Sequence, residues 1–533
     1  MRRTASVAVA LAAMASGLVS AVPATAAAGS PAAASSVDWT DCGTANNPTM
    51  QCATIDVPLD HARPEGRRIQ IAVNRIPATA EEKQGPLLVN PGGPGGSGLG
   101  LAGYVARSLP ADVAAQYDVI GFDPRGVGKS EPALECEPGY FDATRPDSVP
   151  HDFRTFAENI SRAASFAVDC GIRHEGVLKH INTRNTARDM DVIRAALGAE
   201  QINFFGYSYG TYLGSVYAEL FPERVRRMVL DSIVDPTKVW YEANISQNYA
   251  FDERFKAFTA WIAEHDATYG LGADAEKVEA RWYEMRTAMR DEPAKGVVGP
   301  AELEESFLPG GYYNGYWPAM AEAFAAYVHE GDEQALLDLY DDYGKVTGTN
   351  GYSVYTAVEC RDAKWPRDWG TWYEDARETY RKAPFLTWSN TWYNAPCAFW
   401  PTRQPEATDV RNDDIPPVLL FQATDDAATP YAGGVKMHKL LDDSRLVVEE
   451  DGGNHGITLG GNACLDRYLT EYLADGTLPD ARRGVDATCD ALPEPEPEPE
   501  PAGAASSEQG ERSAPSADGA DGGELHRLLG TRP

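Results

Sequence analysis

The segment Gln201-Ile202-Asn203-Phe204-Phe205-Gly206-Tyr207-Ser208-Tyr209-Gly210 decides how this chain reads, because an apolar run turns through Gly-x-Ser-x-Gly into the helix-like stretch Thr211 to Phe221. A strand, a sharp turn and a helix in that order lift a serine hydroxyl clear of a sheet edge, and small residues on either side relieve the crowding of the turn. Taken alone, five such residues also fit an ordinary strand-to-helix turn. The rest of the chain decides between the two.

Working outward, Ile69 to Ala78 alternates like an edge hairpin strand. Apolar runs follow at Pro86 to Val89, Tyr117 to Phe122, Ile202 to Phe205, Arg227 to Leu230, Pro417 to Phe421 and Arg445 to Val448. Short continuous runs of this kind, separated by helical segments, predict a mostly parallel sheet covered on both faces. Ligands of such sheets bind beyond the carboxyl ends of the strands. Between Asp235 and Asn412 the texture becomes helix-like and rich in Trp, Tyr and Glu. That length far exceeds the roughly 30 residues of a single βα step, so residues 236–412 are expected to form a mainly helical inserted cap. The α/β core then comprises 39–235 and 413–492.

Three further segments carry chemistry, and each follows a strand-like run. In Asn90-Pro91-Gly92-Gly93-Pro94-Gly95-Gly96-Ser97-Gly98, glycines let backbone N–H groups converge on a developing oxyanion. Gly92 or Gly93, together with the Tyr209 N–H, are the expected donors. The same stretch matches G-x-G-x-x-G, but Pro94 stiffens the turn and no suitable acidic residue follows a second strand, which argues against a dinucleotide site. Gly128-Lys129-Ser130 resembles the end of a phosphate loop, but Asp123 stands where its first glycine belongs. After Val418 to Gln422 comes Ala423-Thr424-Asp425-Asp426-Ala427-Ala428-Thr429-Pro430, and after Arg445 to Glu449 comes Asp451-Gly452-Gly453-Asn454-His455-Gly456. The order Ser208, Asp426, His455 is the Ser…Asp…His chain order of α/β-hydrolases, with the carboxylate orienting the imidazole.

Composition bounds the setting. The N-terminus carries Arg2-Arg3, an apolar Val7 to Val22 stretch and a small-residue close at Pro23 to Ala28, which reads as an export signal over residues 1–28. No later stretch is apolar for long enough to span a bilayer, so no stable membrane insertion is expected. The cysteines fall as neighbours, Cys42 with Cys52, Cys136 with Cys170, Cys360 with Cys397 and Cys464 with Cys489, and an even count in an exported chain argues for disulfides whose connectivity the sequence leaves open. Neither C-x-x-C nor His-Glu-x-x-His occurs, so neither a metal nor any other cofactor is expected. A formal charge of −32 argues against nucleic acid as a partner. From Pro493 to Pro501 proline alternates with Glu494, Glu496, Glu498 and Glu500, and Ala502 to Gly523 is rich in Ala, Gly and Ser. The first stretch is therefore expected to be a stiff, charged spacer that buries nothing and the second to be disordered, so that residues 493–533 form a Pro/Glu-rich and disordered tail.

The run Asn90 to Gly98, the segment Phe122-Asp123-Pro124-Arg125-Gly126-Val127-Gly128-Lys129-Ser130, the elbow Gly206 to Gly210 and Gly452 to Gly456 together resemble secreted bacterial tripeptidyl aminopeptidases. These are serine exopeptidases of the prolyl-aminopeptidase branch of the α/β-hydrolases. The likeness spans roughly Trp39 to Leu492. In that branch the oxyanion loop usually begins His-Gly-Gly-Pro-Gly, and here Pro91 stands in place of the histidine. The family aspartate stands three residues before Thr-Pro, which selects Asp426 over Asp425. The resemblance implies an extracellular α/β-hydrolase releasing short peptides, most of all tripeptides, from free peptide or protein N-termini. A secreted carboxylesterase or lipase with the same triad is the alternative. An aminopeptidase must also hold a protonated amine, which needs a buried acid in the cap. The expected anchors are Glu359 first, Glu242 second, and Asp362.

Overall fold

The computed structural model describes residues 37–497 and 520–530. The expected export signal lies outside the described residues.

Ten strands form one sheet: β1 (Thr40–Asp41), β2 (Gln51–Pro58), β3 (Arg68–Ile76), β4 (Gly85–Asn90), β5 (Tyr117–Phe122), β6 (Ile202–Tyr207), β7 (Val225–Asp231), β8 (Val418–Ala423), β9 (Arg445–Glu450) and β10 (Ala487–Asp490). Their spatial order is β1-β2-β3-β5-β4-β6-β7-β8-β9-β10. The first three pair antiparallel as a meander and β3 joins β5 antiparallel, while every pairing from β5 onward is parallel. The apolar runs became these strands because a parallel sheet is wet on neither face. Leu88, Phe204, Met228, Leu420 and Leu446 enter one core. Their neighbours Leu87, Phe205, Val229, Leu419 and Val447 enter the other, as a two-residue period requires. The central strands β6, β7 and β8 carry buried side chains at nearly every position.

Helices fill the stretch between β7 and β8. Its first half has a core of its own, built on Phe255, Phe258, Trp261, Trp282 and Trp317, with Phe255 stacked on Phe385 at 4.1 Å. That cluster reaches the main body through Ala427 and Ala428, next to Asp426. The later half behaves differently: Tyr352, Val354, Trp365 and Cys397 pack into the core cluster on one face of the sheet. Part of the inserted stretch is thus continuous with the body beneath it.

The tail departs from expectation. Trp261 donates its indole N–H to the Pro495 carbonyl at 2.9 Å, so the start of the Pro/Glu segment lies on the helix Tyr241–Glu264. A helix spans Ala520–Leu529, with Leu525, His526 and Leu529 buried. Leu525, Leu528 and Leu529 stand at i, i+3 and i+4, which places them on one helix face. So short an apolar pattern, after Gly522-Gly523, is too weak to hold a helix without tertiary packing. The packing is supplied by the helix Leu99–Ser108, where Arg107 bonds Glu524 at 2.6 Å.

The cysteines pair as sequence neighbours: Cys42–Cys52, Cys136–Cys170, Cys360–Cys397 and Cys464–Cys489. Cys136, Cys170, Cys360 and Cys397 are buried, whereas Cys42, Cys52 and Cys464 are half-buried. Mild reduction of the folded protein should therefore open the first and last pairs and spare the middle two. Each middle bridge closes a loop of 34 or 37 residues, worth roughly 3–4 kcal/mol in the chain-entropy model. Thermal unfolding under strong reductant should shift down by several degrees. Mass mapping that found thiols first at Cys360 or Cys397 would contradict this order.

Candidate active site

Three strand ends deliver the pieces. β6 ends at Tyr207, and Ser208 follows with φ 56° and ψ −128°, a conformation that side chains rarely take. The turn closes because Gly206 has no side chain: a Cβ there would lie 2.6 Å from the Gly210 carbonyl oxygen. Ser208 donates its N–H to the Asp231 carbonyl at 3.0 Å, and its own carbonyl accepts from Thr211 N–H at 2.8 Å and Thr211 Oγ1 at 2.6 Å. The serine thus caps the helix Tyr209–Leu220, whose first-turn N–H groups lack intrahelical partners and whose dipole favours negative charge.

The loop after β4 presses on the same turn. Gly92 has φ 101°, and a Cβ on it would lie 2.9 Å from Ser208 Cβ and 3.0 Å from the Tyr209 nitrogen. Its N–H is engaged by Asn90 Oδ1 at 3.1 Å. Gly93 lines the cavity together with Ser208, Tyr209 and His455. Of the two expected loop donors, Gly93 is therefore the one whose N–H this contact leaves to a ligand.

Asp426 follows β8 and is 1% exposed. Its Oδ1 accepts the N–H groups of Ala428 and Thr429, both at 2.9 Å, and its Oδ2 accepts Thr429 Oγ1 at 2.8 Å. The remaining approach meets His455 Nδ1 at 2.9 Å. Asp425 is exposed, and among the described residues its carboxylate hydrogen-bonds the hydroxyl of Thr424 at 3.2 Å rather than His455. His455 follows β9 and is 2% exposed. Its backbone N–H donates to the Tyr312 carbonyl at 2.8 Å, and the Tyr312 ring stands edge-on to the imidazole with centroids 5.5 Å apart. The imidazole is thereby fixed from the sheet by Asp426 and from the cap by Tyr312.

Two supporting residues escaped the sequence reading. Asp231 ends β7 fully buried, accepts the N–H groups of Ile457 and Thr458 and both hydroxyls of Ser232 and Thr458, and so fastens the loop just beyond His455. Burial pushes its carboxyl up to about 6. Ser232 Oγ also accepts Gly456 N–H at 2.7 Å. The available signal was an acid closing the apolar run Met228-Val229-Leu230 at a strand end. Arg254, on the helix Tyr241–Glu264, lies over the Trp317 ring at 4.6 Å in the shared field of Asp425, Asp426, Glu449 and Glu494. Nothing in its local sequence distinguishes it.

The expected amine anchors separate. Glu359, on the helix Asn350–Asp362, is 4% exposed and lines the same cavity as Ser208 and His455. It accepts Asn244 Nδ2 at 3.4 Å, burial pushes its carboxyl well above the usual range, and no ion pair reaches it among the described residues. Asp362 is buried but committed to Thr183, whose N–H donates to it at 2.9 Å and whose hydroxyl bonds its other oxygen. It does not line the cavity. Glu242 sits in the first turn of the helix Tyr241–Glu264, exposed and away from the cavity. Ala243, Asn244, Ser246 and Gln247 of the same helix take the cavity-facing positions instead. Among the described residues no cluster of His, Cys, Asp and Glu could hold a metal ion.

A model of the alpha/beta hydrolase fold matches residues 85–459. The chain is 45% identical over 473 residues to a tripeptidyl aminopeptidase of Streptomyces lividans, covering 86% of this chain and 87% of that protein. It is 34% identical over 474 residues to the serine protease Hip1 of Mycobacterium tuberculosis, covering 83% and 89%. It is also 34% identical over 479 residues to carboxylesterase B of the same organism, covering 85% and 90%.

Proposed function

This chain belongs to the alpha/beta hydrolase family and is a serine hydrolase of the peptidase kind, and on that footing we propose that it is an exported aminopeptidase that releases tripeptides from free N-termini. Ser208 Oγ attacks the scissile carbonyl while His455 Nε2 takes its proton. Asp426 keeps Nδ1–H pointed at itself and stabilises the imidazolium. The oxyanion is received by the N–H groups of Tyr209 and Gly93. Collapse of the tetrahedral intermediate passes the proton from His455 to the leaving amine, and water, activated by the same imidazole, then frees the tripeptide from Ser208. Four disulfides support export, and no helix among the described residues is long and apolar enough to cross a membrane.

One observation carries the choice of a free-amine peptide over an ester. Glu359 places a buried carboxyl on the wall of the cavity with no cation beside it among the described residues, and its charged form is costly unless a ligand brings the opposite charge. An N-terminal ammonium does so, and an acyl chain does not. The reading is tested by comparing a free-amine tripeptidyl anilide, its N-acylated form and a nitrophenyl ester. The free-amine anilide should be turned over far faster than the N-acylated one. Equal turnover of the two, with the ester faster than both, would assign the chain to the carboxylesterases instead.

A further inference from the structure

The C-terminal helix Ala520–Leu529 is not an appendage. Leu529 and Gly530 line the cavity that holds Ser208 and His455. A Cβ on Gly456, the residue after the histidine, would lie 2.3 Å from Leu529 Cδ1, so that leucine rests on the backbone of the histidine loop. One turn earlier His526 is buried and stacks on the Tyr313 ring with centroids 4.0 Å apart. Tyr312 next to it holds His455. The helix therefore seats on the two loops that fix the imidazole. Its outer side is held by Arg107 on Glu524 and by Leu528 against Gly100.

In acyl transfer the leaving amine takes its proton from His455 Nε2, so the chain beyond the scissile bond must depart past the imidazole. We propose that the helix Ala520–Leu529 walls the leaving-group side of the active site, and that Leu529 decides how large a leaving group the enzyme accepts. This rests on the reading of Ser208 and His455 given above. An extended polypeptide needs about 3.3 Å of open path per residue, and Leu529 with Gly530 stands where that path begins. An anilide needs no such path. With the helix seated the enzyme favours short leaving groups, and with the helix released it accepts long chains.

His526 adds a pH lever. Burial beside His455 pushes its imidazole down from 6.5 to about 3, so the seated helix requires it neutral. Among the described residues the groups facing it are the His455 imidazole and backbone and the Tyr313 ring, none of which carries a negative charge to favour the imidazolium. A base with a lowered pKa in the seated state holds the helix fully above the free value, and that hold weakens as pH falls from 6.5 toward 3.

The test uses the full chain and two substrates, a tripeptidyl anilide and the same tripeptide extended by ten residues. The readout is the ratio of kcat/KM for the long substrate to that for the anilide. Both substrates use the same Ser208 and His455, so effects on the shared chemistry divide out of the ratio. Leu529→Ala should raise the ratio about tenfold and Leu529→Trp should lower it, a two-way response that a merely structural residue does not give. Gly100→Leu displaces Leu528 from outside the cavity and should also raise the ratio while leaving anilide turnover unchanged. The wild-type ratio should climb between pH 7 and pH 5. A ratio that stays flat across these variants, or falls in Leu529→Ala, would overturn the proposal while anilide turnover left the hydrolase reading intact. Loss of turnover on both substrates in a folded Gly100→Leu chain would also overturn it, because the helix would then support the triad itself.

Discussion

Ser208→Ala should leave a protein that folds and melts like the parent and turns over any substrate at least about 10⁴-fold more slowly, because the nucleophile, its base and the orienting acid act as a unit. Asp426→Asn should lose activity on a comparable scale. The amide keeps the shape of the carboxylate and accepts Ala428, Thr429 and His455 with only one oxygen, so His455 is presented in the wrong tautomer. Asp425→Asn is the control one residue away. Its carboxylate is exposed and hydrogen-bonds Thr424 rather than His455, so the change should be nearly silent. Initial rates on one free-amine anilide, with thermal melts on the same preparations, read all three. If Asp425→Asn were the more damaging of the two, the acid of the triad would have been misassigned.

The fold was legible because a buried parallel sheet writes itself into sequence as uninterrupted apolar runs: the six runs from Pro86 to Val448 are the strands β4 to β9, and the alternating Ile69 to Ala78 is β3. β1, β2 and β10 were missed for physical reasons. β10 has four residues, β1 two, and β2 ends in Pro58 with three of its eight side chains buried, so none presents an apolar run. The candidate site was legible where chemistry demands a local pattern: Gly206 and Gly210 around Ser208, the glycines before Gly93, the strand end before His455. It was illegible where partners come from far along the chain. Nothing near Asp231 announces that its carboxylate holds Thr458, and nothing near Tyr312 announces that its carbonyl holds His455. The tail was misread because composition reports what a segment buries by itself. Leu525 and Leu529 bury themselves against residues more than sixty positions earlier, and that gain is invisible in the short stretch Glu524 to Gly530 read by itself.

Glu359→Gln should separate amine recognition from acyl transfer. The wild-type carboxyl is buried and pushed up by desolvation, so in the free enzyme it stays protonated over a wider pH range than an exposed glutamate. An entering ammonium favours the carboxylate, and binding therefore expels a proton from the pair. The acid limb of kcat/KM for free-amine tripeptides should follow that group: activity rises with pH through its raised pKa, because the carboxylate is the form that binds. The glutamine variant has no such proton to lose, so this limb should vanish. kcat/KM should fall on the order of 100-fold, the about 3 kcal/mol of a buried hydrogen bond to a charged group. The loss should sit on free-amine peptides alone, since Glu359 touches neither Ser208 nor His455. A small ester, with nothing for the acid to hold, should be hydrolysed at the parental rate. Equal losses on peptide and ester would mean that Glu359 supports the fold of the helix Asn350–Asp362, and the ammonium would then have to find its acid elsewhere on the cavity wall.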